Sequence, residues 1–277
     1  MTILAPGLLG ASLGMASHHY SIAKRIHVWA RRAESREACF EQAWCDEAFS
    51  DPTEAVRGSQ LVVLCTPVDF IVGMVEQIAE SLDEGALVTD VGSTKSKICR
   101  LAARTVPAGT HFIGSHPMAG SEKSGMEHAS VDLFKNRACL VTPLEDAEAA
   151  PIERLVRFWK AVGMEVTSIN PEKHDEIVAN ISHLPHLLAS VLCLHLSRKP
   201  DAWQAFAGNG LRDTTRIAAG QADIWRSIFE ENKDELLRSI DEFEKELASF
   251  RSNIINSEWS QVRHLLNHGR TYREGLD

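Results

Sequence analysis

Short apolar runs alternate with longer helical patterns through the first part of the chain, and this alternation constrains the fold more than any other feature. The runs 61–65 and 86–90 are typical, since each is followed by a segment with helical periodicity. Such continuous apolar runs are typical of strands that a sheet buries on both faces. Because parallel strands need a crossover connection, the alternation predicts an α/β domain with a mainly parallel, doubly wound sheet. The other predicted strands are 2–4, 25–30, 111–115, 137–141 and 165–167.

The first predicted strand runs into a turn that contains glycines and then into a helical pattern. Residues 5–10 match the dinucleotide-binding turn G-x-G-x-x-G, except that Ala5 replaces the first glycine. Gly7 lets the backbone approach a pyrophosphate at the helix N-terminus, and Gly10 allows the helix to pack closely on the strand. A signal peptide is excluded because the segment has no basic start. The predicted cofactor contacts of this turn are Gly7, Leu8, Leu9 and Gly10.

The residues after the second predicted strand bear on which dinucleotide binds. An NAD-specific fingerprint usually has an acidic residue about twenty positions after the turn, to hold the ribose 2′-hydroxyl. This chain has Arg31 and Arg32 there, followed by Ser35 and Arg36. An arginine can pair with a 2′-phosphate, so we predict NADP, with NAD as the alternative. The other interpretation of these arginines is a solvated helix start.

Three loops are expected at the carboxyl edge of the sheet, where open α/β proteins bind ligands: residues 66–68, 92–95 and 116–121. Thr66 and Pro67 follow the strand at 61–65, and Gly92 and Ser93 follow the strand at 86–90. Ser93 is also predicted to cap the next helix. We expect all four residues to contribute to the cofactor site.

The most distinctive polar segment is 114–125, Gly-Ser-His-Pro-Met-Ala-Gly-Ser-Glu-Lys-Ser-Gly. His116 follows the predicted strand 111–115, and Pro117 is expected to end the strand pairing because it has no N–H to donate. A histidine has a pKa of about 6.5 and can accept a proton at neutral pH. His116 is therefore a candidate base in a loop that a ligand can approach. The alternative is a histidine hydrogen-bonded within a turn.

From Asn170 onwards no strand is evident, and the pattern becomes helical. Asn170 and Pro171 form a helix N-cap followed by proline at the first helical position. One helix is predicted over 177–196, with a kink at Pro185, and another over 223–254. We therefore place a dinucleotide-binding domain at 1–168 and a helical domain at 169–277.

The long second helix carries apolar residues with the four-three spacing of a coiled-coil seam. The alternatives are a homodimer built on this seam and an amphipathic helix packed on its own domain, and we favour the dimer. The seam residues are Leu236, Ile240, Phe243, Leu247, Phe250 and Ile254.

Two polar clusters lie in the helical domain. His183 and His186 are three residues apart, with Ser182 beside them, but no third ligand is evident and a metal is not predicted. Arg212 and Arg216 follow two glycines, which suits a carboxylate site because a guanidinium binds a carboxylate through two hydrogen bonds. The alternative for this second cluster is a helix connector with a surface salt bridge.

Composition narrows the class of protein. The formal net charge of −9 argues against a nucleic-acid partner. Six cysteines without a C-x-x-C pair indicate reduced thiols, and hence a cytoplasmic protein. Residues 177–197 contain no Asp, Glu, Lys or Arg, but they include three histidines and a proline, so we predict a buried helix and no membrane span.

Taken in order, these segments resemble the prephenate/arogenate dehydrogenases of tyrosine biosynthesis, a branch of aromatic amino acid biosynthesis. The resemblance covers nearly the whole chain. It departs from the family pattern at Ala5, at a first strand that begins almost at Met1, and at Arg31, where an acidic residue is common. The segments that carry it are 5–10, 90–95, 114–125, 182–186 and 212–218, followed by Trp225 and Asn232.

The resemblance implies an N-terminal Rossmann domain, a C-terminal helical dimerisation domain, and oxidative decarboxylation of a cyclohexadienyl acid with a nicotinamide cofactor. It implies that His116 accepts the proton of the ring hydroxyl and that Ser93 lies near the same hydroxyl. Arg216 is the implied carboxylate anchor, with Arg212 second. The other implied substrate contacts are Ser121, Ser182, His183 and His186.

Other functions are weaker interpretations. A 6-phosphogluconate or β-hydroxyacid dehydrogenase commonly uses a lysine early in the helical domain, where this chain has Lys173, but that reading leaves the segment around His116 unexplained. A catalytically silent NADP-sensing protein is the alternative of another class.

Prephenate is favoured over arogenate as the substrate because the expected pocket segments offer few acids for an ammonium group. Few residues follow the long helix, so we expect no appended regulatory or mutase domain.

Overall fold

The computed structural model describes residues 1–119 and 125–276, and the strands in these residues form two sheets. Residues that the sequence shows as long apolar runs form the middle strands of the larger sheet. The strands are β1 (Thr2–Leu4), β2 (His27–Trp29), β3 (Glu47–Phe49), β4 (Leu61–Leu64), β5 (Leu87–Asp90), β6 (His111–Phe112), β7 (Gly114–Pro117), β8 (Ala138–Thr142) and β9 (Glu165–Ser168).

The larger sheet has six parallel strands in the order β3-β2-β1-β4-β5-β6. The strand order reverses between β1 and β4, which is the switch point where such sheets bind ligands outside the carboxyl ends of their strands. A smaller sheet has the order β7-β8-β9, with β7 antiparallel to β8 and β9 parallel to it. The predicted parallel, doubly wound sheet is confirmed.

Helices make up most of the remaining chain, and those of the N-terminal part surround the larger sheet in a Rossmann-like arrangement. Their bounds are α1 (Leu8–His19), α2 (Ala33–Phe40), α3 (Pro52–Val56), α4 (Val68–Ile78), α5 (Ser96–Thr105), α6 (Ala149–Ala161), α7 (Pro171–Val178), α8 (Leu184–Leu196), α9 (Asn209–Thr215), α10 (Ala222–Glu231), α11 (Lys233–Ile255) and α12 (Trp259–Glu274).

Side chains of the central strands alternate between two hydrophobic cores, one on each face of the larger sheet. On β1, Ile3 belongs to one core and Leu4 to the other, and both side chains are fully buried. On β4, Val63 and Leu64 divide in the same way. Successive residues of a strand point to opposite faces, which explains why strands covered on both sides have unbroken apolar sequences.

The chain divides by packing into two compact units, one of residues Met1–Asn232 and one that begins at Lys233. This division reflects how densely the residues pack on one another. It does not coincide with the change from α/β to helical sequence near residue 170. The predicted domain boundary near residue 168 therefore stays a prediction.

The predicted strand 111–115 is wrong in its bounds. The parallel sheet keeps only β6, the chain leaves it at Ile113, and β7 then pairs with β8 as far as Pro117 opposite Cys139. Pro117 does not end the pairing, because β7 is an edge strand of the smaller sheet, where a missing N–H leaves no ladder bond broken. His116 consequently lies within a strand.

The predicted helix 177–196 is also different in detail. It begins earlier, as α7, widens into a π turn at Ala179–His183, and continues as α8. Pro185 stands at the start of α8, where it has no N–H for the ladder, and the π turn lies immediately before it. A sharp break at Pro185 is thereby avoided.

This helical stretch is less buried than the sequence predicts. Residues Pro171–Leu196 are long and apolar enough to cross a membrane, but such a test is also passed by helices of soluble proteins. Of the 18-residue stretch that is most apolar, only 33% is buried. Ile181, Val191 and Leu194 are each about half exposed.

The predicted helix 223–254 is interrupted. α10 ends at Glu231 and α11 begins at Lys233, because Asn232 leaves the helical conformation and its side chain forms long-range hydrogen bonds. Two further elements were not predicted from the sequence, the short strand β3 and the final helix α12.

Candidate active site

His116 contacts a second histidine that the sequence analysis did not identify. The Nδ1 atom of His116 on β7 lies 2.9 Å from Nε2 of His174 on α7. His174 is fully buried, whereas His116 is partly exposed. Asn170 caps α7 as predicted, accepting a hydrogen bond from the N–H of Lys173, and this cap places His174 in the first turns of the helix.

Asp175, the next residue on α7, joins this pair to a third element. Its Oδ1 lies 2.8 Å from Nδ1 of His174. The same carboxylate accepts the backbone N–H groups of Lys95 and Ser96 at the start of α5, each at 2.8 Å. The predicted cap of α5 by Ser93 is therefore wrong, because Asp175 from a distant helix satisfies these donors.

A buried ion pair lies behind the strand that carries His116. Lys95 and Asp90 are both fully buried, and the ammonium of Lys95 donates to Oδ2 of Asp90 and to the carbonyl of Thr94. Asp90 also accepts the N–H of Gly92 at 2.9 Å and the N–H of Ser115 at 3.3 Å. One carboxylate thus links the loop after β5 to β7 beside His116.

The electrostatics of this cluster keep its imidazoles neutral. Burial lowers the pKa of His116 well below its ordinary value, and the charged forms of His174 and Lys95 would lower this pKa further. Burial also lowers the pKa of His174, although the hydrogen bond to Asp175 opposes that effect. A neutral His116 at physiological pH can accept a proton, which is what a general base requires.

His183 presents an unpaired donor. The side-chain amide nitrogen of Asn232 donates to the backbone carbonyl of Asp175 and lies 3.2 Å from Nδ1 of His183. An amide nitrogen only donates, so Nδ1 of His183 accepts and its proton is on Nε2. Burial lowers the pKa of His183 to about 4. Its Nε2 is buried and has no hydrogen-bond partner among the described residues, so it can donate to a ligand.

An aromatic stack lies next to His183. The ring of His186 stacks on Trp225 with centroids 3.5 Å apart, and Trp225 in turn contacts His183 edge-on. Gly220 permits this packing, because a Cβ there would lie 2.5 Å from Nε1 of Trp225 and 3.1 Å from Cε1 of His186. Nδ1 of His186 is buried and has no partner within the described part of the chain.

The remaining predicted substrate residues are divided between two places. Ser182 is half-buried in the π turn beside His183. Arg212 on α9 and Arg216 just after it are both exposed, on a segment that packs against α8. Ser121 lies outside the described residues.

A cleft of about 660 Å³ at the switch point of the larger sheet contains the predicted cofactor residues Gly7, Arg31, Arg32, Thr66 and Pro67. The hydroxyl of Thr66 is buried and has no hydrogen-bond partner among the described residues. Arg31 and Arg32 are exposed at the rim. An orphaned buried hydroxyl in such a cleft fits a polar ligand.

The turn before α1 has the geometry of a dinucleotide site. Ala5 has a φ of +74°, the left-handed conformation that glycine adopts more easily, so alanine takes the backbone shape of the glycine that it replaces. A Cβ at Gly10 would lie 2.6 Å from the carbonyl oxygen of Ala5, which explains the need for glycine there. Leu8 and Leu9 form the first turn of α1, which has no side-chain cap and no acidic residue. Such a terminus suits a phosphate.

Gly92 and Ser93 lie in the loop after β5 and are not among the residues that line this cleft. A Cβ on Gly92 would lie 2.8 Å from both Asp90 Oδ2 and Ile71 Cδ1, so this glycine is needed for packing against α4. Ser93 is partly exposed.

Three features of the candidate site were not predicted from the sequence: His174, Asp175 and the Asp90–Lys95 pair. The adjacent His174 and Asp175, close after the Asn170–Pro171 helix start, were the available signal. Their importance follows only from the hydrogen bond to His116, 58 residues away in sequence.

The buried imidazoles predict an acid-sensitive fold. Because the pKa values of His174 and His183 are lowered, the unfolded chain binds more protons below pH 6.5 than the folded chain does. We expect the free energy of unfolding to fall between pH 7 and 5.5, by about 1 kcal/mol from His183 alone and by a further amount from His174. Urea denaturation at both pH values measures this loss, and His183→Gln should reduce it. Equal stability at the two pH values would contradict the expectation.

Comparison with protein families gives two matches that together span most of the chain. Residues 13–168 match the nucleotide-binding domain of prephenate dehydrogenase, and residues 170–268 match its dimerization domain. The chain is 31% identical to prephenate dehydrogenase of Bacillus subtilis strain 168 over 98% of this chain and 74% of that protein. It is 28% identical to cyclohexadienyl dehydrogenase of Zymomonas mobilis over 97% of this chain and 92% of that protein.

Solved structures agree with these matches. Prephenate dehydrogenase of Aquifex aeolicus, in complex with hydroxyphenyl propionate and NAD+, superposes with a TM-score of 0.94 at 28% identity and covers 100% of this chain and 97% of that chain. Arogenate dehydrogenase of Synechocystis superposes with a TM-score of 0.87 at 27% identity, covering 100% and 99%. This chain belongs to the prephenate/arogenate dehydrogenase family, whose members are nicotinamide-dependent oxidoreductases.

Proposed function

We propose that this chain converts prephenate to 4-hydroxyphenylpyruvate in tyrosine biosynthesis, by oxidative decarboxylation. The observation that carries the proposal is His116, a neutral histidine in a chain of this family, whose Nδ1 is hydrogen-bonded to Nε2 of His174. We assign its Nε2 to the substrate. The nicotinamide cofactor supplies the hydride acceptor. The test is the steady-state rate of the purified protein on prephenate and on arogenate, each with NAD and with NADP.

His116 moves the proton in this reaction. The ring hydroxyl gives its proton to Nε2 of His116 while the ring carbon that carries this hydroxyl loses a hydride to the nicotinamide. The bond to the ring carboxylate then breaks, carbon dioxide leaves, and the bonding electrons complete the aromatic ring. A base positioned in this way contributes about 10²- to 10⁴-fold to the rate. We propose that Ser93 donates a hydrogen bond near the same hydroxyl.

Carboxylate groups of the substrate require donors. The Nε2–H of His183 is a buried donor without a described partner, and it is the best-supported contact of this kind. Arg216 is the proposed anchor of a carboxylate, and Arg212 is a second candidate. Ser121, Ser182 and His186 are the other proposed substrate contacts.

Prephenate is favoured over arogenate because few acids near these groups are available to an ammonium group. The carboxylate of Asp175 already accepts hydrogen bonds from His174, Lys95 and Ser96. An ammonium group would favour a nearby carboxylate, and the candidates are Glu122, which lies outside the described residues, and the exposed Asp213. Each is next to a basic residue in sequence, Lys123 and Arg212, that can neutralise it. A kcat/KM for arogenate tenfold above that for prephenate would reverse this preference.

The cofactor contacts that we propose are Gly7, Leu8, Leu9, Gly10, Arg31, Arg32, Thr66, Pro67, Gly92 and Ser93. NADP is proposed over NAD because Arg31 and Arg32 are exposed at the rim of the cleft. Arg36 does not share this role, because its guanidinium donates to the carbonyls of Ala30 and Arg31 at 2.9 and 3.0 Å. The 2′-phosphate of NADP would pair with Arg31 and Arg32 at this rim.

Arg31→Ala tests this preference. We expect the KM for NADP to rise by at least about tenfold while the KM for NAD changes little, since only NADP has a 2′-phosphate that would lose this arginine. One charge-assisted hydrogen bond contributes about 1.5–3 kcal/mol. Arg57→Ala, an exposed arginine outside the cleft, is the control. A wild-type protein that prefers NAD, or equal effects on both cofactors, would show that Arg31 is a surface residue.

A homodimer is proposed on the seam of α11, in the segment that matches the dimerization domain. Phe243, Leu247 and Ile254 are 36%, 58% and 50% exposed in the single chain, which leaves an apolar stripe without cover on that helix. We expect light scattering to give twice the 30.6 kDa of one chain. Phe243→Asp should lower this mass to one chain because it would bury an unpaired carboxylate, whereas Glu244→Gln should not. A monomeric wild type would refute the dimer.

The protein is proposed to act in the cytoplasm on a small-molecule substrate. Its thiols are free throughout the described residues, which agrees with a reducing compartment.

A further inference from the structure

Asp175, His174 and His116 form one continuous hydrogen-bonded chain that determines which nitrogen of His116 carries the proton. The carboxylate of Asp175 is ionised: burial alone would raise its pKa, but the hydrogen bonds from His174 and Ser96 lower it. An ionised carboxylate only accepts hydrogen bonds, so Nδ1 of His174 must carry a proton and donate it to Asp175 over 2.8 Å.

The proton of His116 follows from that of His174. Burial keeps His174 neutral, so its single ring proton is on Nδ1 and its Nε2 has a lone pair. Nε2 of His174 lies 2.9 Å from Nδ1 of His116, and a hydrogen bond between them requires the proton on Nδ1 of His116. The Nε2 of His116 is then unprotonated, which is the state that a proton acceptor needs.

We propose that His174 and Asp175 are positioning residues that hold His116 in the tautomer with the proton on Nδ1 and the lone pair on Nε2. A free imidazole side chain in water favours the opposite tautomer, with the proton on Nε2, which cannot accept a proton from a substrate hydroxyl. Without this chain of bonds, most His116 rings would be in the unreactive form. The catalytic consequence rests on the proposed function, but the tautomer itself does not.

The orientation of Asp175 is fixed by α5. Its two oxygens accept the N–H groups of Lys95 and Ser96, at the positive end of that helix, and its backbone carbonyl accepts the amide of Asn232. These bonds leave the carboxylate no freedom to turn away from His174. The tautomer of His116 on β7 therefore depends on Asp175 of α7, whose orientation is fixed by the N-terminus of α5.

The tautomer can be measured directly without substrate or cofactor. Nitrogen-15 chemical shifts of the imidazole rings distinguish a protonated from an unprotonated ring nitrogen, and His116→Asn and His174→Gln assign the two residues. We expect both His116 and His174 to carry the proton on Nδ1 in the folded protein at pH 7.5. A proton on Nε2 of His116 would overturn the proposal, whatever substrate the protein uses.

Two variants of His174 test the catalytic consequence. His174→Gln places an acceptor oxygen near the position of Nε2, so kcat on prephenate should remain within about tenfold of wild type. His174→Phe has similar volume and no acceptor, so kcat should fall by about 100-fold or more, with little change in KM or in cofactor affinity. Equal losses in the two variants would show a packing role and overturn the proposal. Wild-type turnover in His174→Phe would do the same.

The pH dependence separates tautomer control from a change in acidity. The charged and titratable groups that face His116 and His174 are Asp175, Lys95, Asp90 and His183. A change of tautomer lowers kcat of His174→Phe by the same factor from pH 6 to 9, since no ionisation is altered. A loss that disappears at either end of this range would mean that His174 acts on the pKa of His116, which would overturn the proposal. If no cyclohexadienyl acid is turned over, the nitrogen-15 measurement still decides the tautomer.

Discussion

His116→Asn is expected to lower kcat by about 10²- to 10⁴-fold, because it removes the proposed general base and leaves the rest of the site in place. The cleft at the switch point does not include His116, so the dissociation constant of the cofactor should change by less than about threefold. Steady-state kinetics give kcat, and cofactor titration gives the dissociation constant. Circular dichroism checks that the variant is folded.

The matched control is His111→Asn on β6, five residues before His116 in the same stretch of chain and partly exposed. It should keep wild-type kcat, since His111 is the first residue of β6 and His116 lies on β7. Near-normal turnover by a folded His116→Asn variant would remove His116 from the mechanism.

Asp90→Ala is expected to lower the free energy of unfolding by about 3–5 kcal/mol, because it leaves the fully buried ammonium of Lys95 without its counterion. It also removes the acceptor for the N–H groups of Gly92 and Ser115. Urea denaturation monitored by circular dichroism measures the loss. A variant that does not fold at 25 °C agrees with the upper end of this range.

Lys95→Met separates the contribution of the buried charge of Lys95 to stability from that of its side-chain packing. The carboxylate of Asp90 would keep both backbone N–H donors, so this loss should be smaller than that of Asp90→Ala. The double variant Asp90→Leu with Lys95→Met should recover part of the stability lost in Asp90→Ala, because it contains no unpaired buried charge. A double variant less stable than Asp90→Ala would mean that the pair stabilises the fold by more than mutual neutralisation.

Local sequence was sufficient wherever the interaction that defines an element is itself local. The apolar runs at β4 and β5 predicted buried parallel strands, since neither face of such a strand meets water. The pair Asn170 and Pro171 predicted the start of α7, because the cap bond spans three residues. The turn before α1 was recognisable despite Ala5, since alanine tolerates the left-handed conformation at a modest cost.

Longer elements were predicted less well because tertiary bonds interrupt them. Asn232 divides α10 from α11 through hydrogen bonds to Asp175 and His183, which lie 57 and 49 residues earlier. The break after β6 depends on β8, because β7, which begins at Gly114, pairs with β8 in the smaller sheet. Apolar periodicity is the same whether or not such a partner is present, so it could not locate either break.

By itself the sequence determined the fold class, and it predicted the dinucleotide turn and His116 as the candidate base, because each of these depends on residues close together in the chain. Only the tertiary structure decided what surrounds that histidine. His174 lies 58 residues from His116, and Asp175 lies 80 residues from the Lys95 N–H that it accepts. A hydrogen bond acts over about 3 Å and carries no periodicity along the sequence, so partners this far apart become identifiable only when folding brings them together.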